Sequence, residues 1–124
     1  MNRSPYILIA EDDSDDRMLL QTAFDETGID KQLTFATNGC EVIEHLEKSE
    51  VLLLPRFILL DLNMPKKDGR ETLRDLKQHE LFKKIPVIIF TTTKNETDIK
   101  RCYELGANSY IVKPDSFDAL RKIV

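Results

Sequence analysis

Short apolar runs that each stop at a charged or hydroxyl residue, separated by stretches of helical spacing, limit what this chain can fold into. Tyr6–Ala10 stops at Glu11-Asp12-Asp13, Phe57–Leu60 at Asp61, Val87–Phe90 at Thr91, and Tyr110–Val112 at Lys113-Pro114. Ile7-Leu8-Ile9 is apolar without alternation, as expected of a strand covered on both faces. If these runs are parallel strands of an open sheet, their polar stops gather at its carboxyl edge, where such sheets bind ligands.

Helical patterns fill the intervals. Leu20, Ala23 and Phe24 predict a helix over Ser14–Thr27, with Gly28 suited to the residue just past its end. Leu33–Ala36 is a weaker strand, and Asn38-Gly39 turns into a helix whose Val42, Ile43 and Leu46 share a face. Leu73 and Leu76 mark a third helix after the Pro65–Gly69 loop. Pro86 sits at the start of the fourth strand, where a missing donor is tolerated. Ile99, Cys102 and Tyr103 give the next helix, closed by Gly106; Ser109–Val112 is the fifth strand, and Phe117, Leu120 and Ile123 open a fifth helix. The expectation is an α/β protein of (βα)5 type, a doubly wound parallel sheet with helices on both faces.

That alternation accounts for the 124 residues, so residues 1–124 are expected to be one domain without an output domain. The last helix is short, which leaves room for a native chain that continues past Val124. With 41% hydrophobic and 32% charged residues the sequence is of the globular class. A net charge of −4 argues against broad attraction to nucleic acid or an anionic membrane. No apolar stretch approaches the ~20 residues of a membrane span, and there is no signal-peptide core, which suits a cytoplasmic protein. Cys40 and Cys102 stand alone and are expected to be buried free thiols.

The stops suggest chemistry. Glu11, Asp12 and Asp61 in one crevice would repel unless a cation sat among them. Oxygen donors without His or Cys select a hard ion, Mg2+ or Mn2+. Acids after a strand also serve as helix caps, and Asp13 or Ser14 is expected to do so. Asp61 is the candidate nucleophile, since a carboxylate can attack phosphorus and form an aspartyl phosphate. Lys113 offers a fixed positive charge for a phosphoryl group. A cis bond before Pro114 is one way to aim it inward; the sequence leaves the isomer open. Thr91, which also fits as a plain β-branched strand residue, can hydrogen-bond a phosphoryl oxygen. Tyr110 could move inward as Thr91 shifts, or be simply a half-buried aromatic.

In these residues the chain resembles the CheY-like receiver domains of two-component response regulators. The resemblance covers residues 6–123. Its most specific stretch is Asp61-Leu62-Asn63-Met64-Pro65-Lys66-Lys67-Asp68-Gly69, in register with Glu11-Asp12-Asp13, Thr91 and Tyr110-Ile111-Val112-Lys113-Pro114. The resemblance implies a flavodoxin-like fold with strand order 2-1-3-4-5, and a phosphoacceptor switch rather than a turnover enzyme. It makes Asp61 the phosphoacceptor, fed by a histidine kinase phosphohistidine. Mg2+ would be held by Asp12, Asp61 and the backbone carbonyl of Asn63, with Glu11 acting through water. Thr91 and Tyr110 would be the switch pair, driving the surface of helix 4, strand 5 and helix 5, while Lys113 pairs with the phosphate. Asn63 and Thr93 would tune dephosphorylation; Thr93, short and without an acid or amide, implies a longer phosphoryl lifetime than in fast chemotaxis switches. Thr92, where a small residue is usual, would narrow access to Asp61. The continuation Asp68-Gly69-Arg70-Glu71 and the run Ile89-Phe90-Thr91-Thr92-Thr93 look like stand-alone receivers paired with phytochrome-type histidine kinases, which often form homodimers.

Three rivals stand beside this reading. A haloacid-dehalogenase-like phosphatase needs a second Asp two residues past its nucleophile, where this chain has Asn63. A flavin or nucleotide binder needs a Gly/Ser-rich loop after the first strand, where this chain has acids. A degenerate receiver acting as a binding module would not need the acceptor, acids and lysine together. Without a DNA-binding motif, output is expected through protein contact or phosphate relay.

Overall fold

Every residue of the first strand, β1 (Tyr6–Ala10), is buried, and its two faces feed two different cores. Leu8 and Ala10 point to one side, Ile7 and Ile9 to the other. The same period of two runs through the neighbouring strands: Ile58 and Leu60 against Leu59, Val87 and Ile89 against Ile88 and Phe90. Continuous apolar runs are thus required by a sheet with two covered faces.

The computed structural model describes residues 6–28, 32–49 and 53–123. After β1 come α1 (Ser14–Glu26), β2 (Gln32–Ala36), α2 (Gly39–Lys48), β3 (Ile58–Leu60) and α3 (Gly69–Gln78). A 3-10 turn at Phe82–Lys84 leads to β4 (Val87–Thr91), α4 (Glu96–Glu104), β5 (Ser109–Val112) and α5 (Phe117–Ile123). All pairings are parallel, in the order β2-β1-β3-β4-β5. This is the expected doubly wound, flavodoxin-like sheet. Val42, Leu46, Leu73, Leu76 and Cys102 fill the core on one face, and Leu20, Ala23 and Leu120 the core on the other.

Each of the first four helices begins on an Asp or Asn that accepts main-chain N–H bonds: Asp13, Asn38, Asp68 and Asn95. Asp13 is therefore the cap expected for α1. Gly28 takes φ +71° just beyond the Thr27 C-cap, the left-handed conformation that ends a helix at least cost in glycine. Gly69 is needed for a different reason. A Cβ there would lie 2.2 Å from the Asp61 carbonyl oxygen and 2.7 Å from the Leu62 Cα, so α3 packs directly on the chain that carries Asp61.

Several expectations are corrected. Phe57 lies outside β3, whose ladder starts at Ile58, while Thr91 lies inside β4 rather than after it. Helix α1 ends at Glu26, with Thr27 already its cap. Tyr103 was expected on the inner face of α4 but is 49% exposed; only Cys102 is buried there, because the helix is short and lies over the sheet edge. Ile123 is exposed as well, since the short α5 buries Leu120 alone. Cys40 is exposed, since the second position of α2 faces outward; Cys102 is buried as expected.

Candidate functional site

Parallel pairing brings the stops together. Ala10 registers with Leu60, and the ladder continues past the strand ends through Glu11 N–H to Ala36 O (2.9 Å) and Asp61 N–H to Ala10 O (3.1 Å). On the other side Thr91 registers with Val112, and Lys113 N–H bonds Thr91 O at 2.8 Å. Glu11, Asp12, Asp61, Thr91 and Lys113 therefore meet at the carboxyl edge of the sheet, as the sequence implies.

Carboxylate oxygens of Glu11, Asp12 and Asp61 lie within 4.8 Å of one another. Asp12 is exposed, whereas Glu11 and Asp61 are buried at 2% and 5% exposure. Lys113 reaches into the group: its Nζ donates to Glu11 Oε1 at 2.5 Å, to Asp16 Oδ2 at 3.0 Å and to Asp61 Oδ2 at 3.1 Å. It does so across a trans peptide to Pro114, so the suggested cis bond is not needed. Its Nζ also lies over the Phe90 ring, 5.9 Å from the centroid.

One ammonium does not balance these acids. Burial pushes the Glu11 carboxyl up to about 7, although the Lys113 bond pulls the other way. Burial works against the Lys113 ammonium, but the hydrogen bond to Glu11 and the charge of Asp61 outweigh it and raise its pKa above the usual lysine value. An under-neutralised, oxygen-only group of this kind fits a hard divalent cation.

A second set of contacts leads away from the acids. Asn63 N–H points to Asp61 Oδ1 at 3.3 Å. Its side-chain amide donates to Thr91 Oγ1 (3.4 Å) and Thr93 Oγ1 (3.3 Å), both long bonds. Thr91 is fully buried, and Tyr110, half-buried, donates its hydroxyl to Thr93 O at 2.8 Å. Asn63, Thr91, Thr93 and Tyr110 thus form one chain of contacts running from the acids into β5.

Sequence reasoning missed two members of the site. Asp16 carries no local sequence signal of this role, yet it binds Lys113, which arrives from the other end of the chain. Arg17 donates to the carbonyl of Glu11 at 2.9 Å and so fixes the loop that carries both acids, a tertiary contact that no local pattern announces.

A family model for the response regulator receiver domain matches residues 7–124. The chain belongs to this family. Response regulator Rcp1 of Synechocystis sp. is 39% identical over 126 residues, covering 99% of this chain and 86% of Rcp1. The Mn2+-bound form of Rcp1 superposes with a TM-score of 0.87 at 38% identity, covering 96% of this receiver and 88% of that chain. The phosphorylated cyanobacterial phytochrome response regulator RcpA gives a TM-score of 0.88 at 34% identity, covering 99% of this receiver and 89% of that chain. The receiver is therefore a signalling domain of the two-component type, a phosphoacceptor switch by family. No described helix of it is long and apolar enough to cross a membrane.

Proposed function

We propose that the receiver accepts a phosphoryl group on Asp61 from the phosphohistidine of a sensor histidine kinase. An Asp61 carboxylate oxygen attacks phosphorus in line; the new P–O bond forms as the P–N bond breaks, and the imidazole nitrogen keeps that electron pair. Asp12, Asp61, the main-chain carbonyl of Asn63 and, through water, Glu11 would hold Mg2+ (or Mn2+), which when bound supplies charge neutralisation for the transferring group. Lys113 adds the fixed ammonium. The observation that carries the reading is its Nζ, 3.1 Å from Asp61 Oδ2, beside two further carboxylates.

The same residues can pass the event on. A dianion on Asp61 draws the buried Thr91 hydroxyl toward it, and Tyr110, tied to Thr93, repacks with that loop. The surface of α4, β5 and α5 is then the readout, engaging a downstream protein or a phosphorelay partner. Side chains of Asn63 and Thr93 bond each other and neither is an acid, which supports slow loss of the phosphoryl group. We assign the domain a cytoplasmic place, no output domain within these residues and a homodimeric active form. A phytochrome-type kinase is the favoured donor, because RcpA, named above, is a phytochrome response regulator. A phosphatase reading is weaker, since Asn63 has no carboxylic proton to give.

Treatment with acetyl phosphate and Mg2+ tests this directly. Intact mass should gain one phosphoryl group in the native protein and none in Asp61→Asn; full labelling of that variant removes Asp61 as acceptor. Lys113→Ala should bind metal nearly as before yet lose phosphorylation-dependent partner binding or dimerisation.

A further inference from the structure

An ammonium has three N–H donors, and in this receiver Lys113 spends all three on carboxylates. Two of those acceptors have another claim on them. Glu11 and Asp61 belong, with Asp12, to the group of oxygens that fits a cation. Asp16 does not. It stands in the first turn of α1, outside that group, and among the described residues its side chain bonds Lys113 alone.

Its placement is built, not incidental. The Asp13 carboxylate accepts the N–H groups of Asp15 (2.8 Å) and Asp16 (3.4 Å), which fixes the first turn of α1. Arg17, the next residue, is anchored to the Glu11 carbonyl. Asp16 is therefore held from both sides on a rigid helix end, with its carboxylate 3.0 Å from the lysine. Its side chain is 36% exposed against 2% for Glu11, so it meets the lysine from the solvent side of the cluster.

We propose that Asp16 is a positioning residue for Lys113. When a cation draws on Glu11 and a phosphoryl group covers the Asp61 oxygen, Asp16 remains the one carboxylate that can keep the ammonium over the reacting centre. Lys113 then needs to turn only one donor from Asp61 to the phosphoryl oxygen, rather than be gathered from solvent. This inference rests on the phosphoacceptor role proposed for Asp61.

Acetyl phosphate at fixed concentration with saturating Mg2+ provides the test, on the native protein, Asp16→Ala, Asp16→Asn and Asp61→Asn. Asp16→Ala should be labelled roughly three- to tenfold more slowly, with Mg2+ affinity and melting temperature unchanged. Asp16→Asn keeps an acceptor oxygen at the same reach and should recover most of the rate. The Lys113 side-chain ammonium should give a protected NMR signal in the Mg2+-loaded native protein and lose that protection in Asp16→Ala. Native rate in Asp16→Ala, a faster rate, or equal slowing in both Asp16 variants overturns the positioning role. Labelling of Asp61→Asn would instead overturn the acceptor assignment, so the two failures are told apart.

Discussion

The β1–β3 side of this domain and its α4–β5 side are held to different standards. Every residue of β1 and β3 is buried, and α3 buries Gly69, Thr72, Leu73 and Leu76. On the other side no residue of β5 is fully buried, and α4 buries Cys102 alone. The acids sit on the firm side; Thr91 and Tyr110 lead into the soft one. A charge change can be received without distorting its own platform and be spent on moving the part that resists least. Segments with few buried apolar contacts open at lower free energy, so the contrast is a statement about dynamics as well as packing.

The largest expected effect tests the firm side. Leu73→Ala should cost about 2–5 kcal/mol, because the fully buried side chain leaves a cavity under β3. Cys102→Ala on the soft side should cost clearly less, about 1 kcal/mol. Urea unfolding of both variants checks this, and equal losses would break the contrast.

Next comes the pH response of Glu11. Its folded pKa, about 7, lies above the ordinary carboxyl value, so the metal-free protein binds this proton more tightly than the unfolded chain. The resulting stability is present below the ordinary carboxyl pKa and is lost as pH rises toward and through 7. That loss should be on the order of 1–3 kcal/mol and should shrink when Mg2+ is added, since the cation favours the carboxylate. Thermal melts across that range, with and without Mg2+, read the sign. A metal-free protein that gains stability from this source over the window would contradict it.

Smaller effects probe the soft side. Tyr110→Phe removes the hydroxyl bond to Thr93 O and should cost about 1 kcal/mol, while speeding hydrogen exchange in the 92–95 loop and leaving β1 unchanged. Arg70 Nε donates to Asp98 Oδ1 at 3.0 Å and links α3 to α4 across the divide. Both side chains are about a third exposed, so Arg70→Ala should cost only about 0.5 kcal/mol or less. Its mark should be faster exchange in α4. A global change in exchange would show that the two sides are not separately held.

Much of the fold was legible because a two-faced sheet writes itself as unbroken apolar runs. Ile7-Leu8-Ile9 and Ile58-Leu59-Leu60 could not be mistaken for half-exposed strands. The site was legible because parallel strands deliver their stops to one edge whatever the loops do. Asp16 was not legible, since its role depends on a lysine that arrives from the other end of the chain. Tyr103 was misread because helical spacing reports which residues share a face and not how much sheet lies beneath them. Cys40 failed similarly: a thiol is drawn as a small hydrophobe, but the second residue of α2 has nothing to cover it.

Gly69 carries a last implication. Its missing Cβ lets helix and acid-bearing strand end touch main chain to main chain, with no side chain as a cushion between them. The aim of Asp61 is thus set by atoms that take no part in any reaction. A single added methyl at position 69 would act like a shim under a mount, tilting the backbone of Asp61 and with it the carboxylate that meets Lys113.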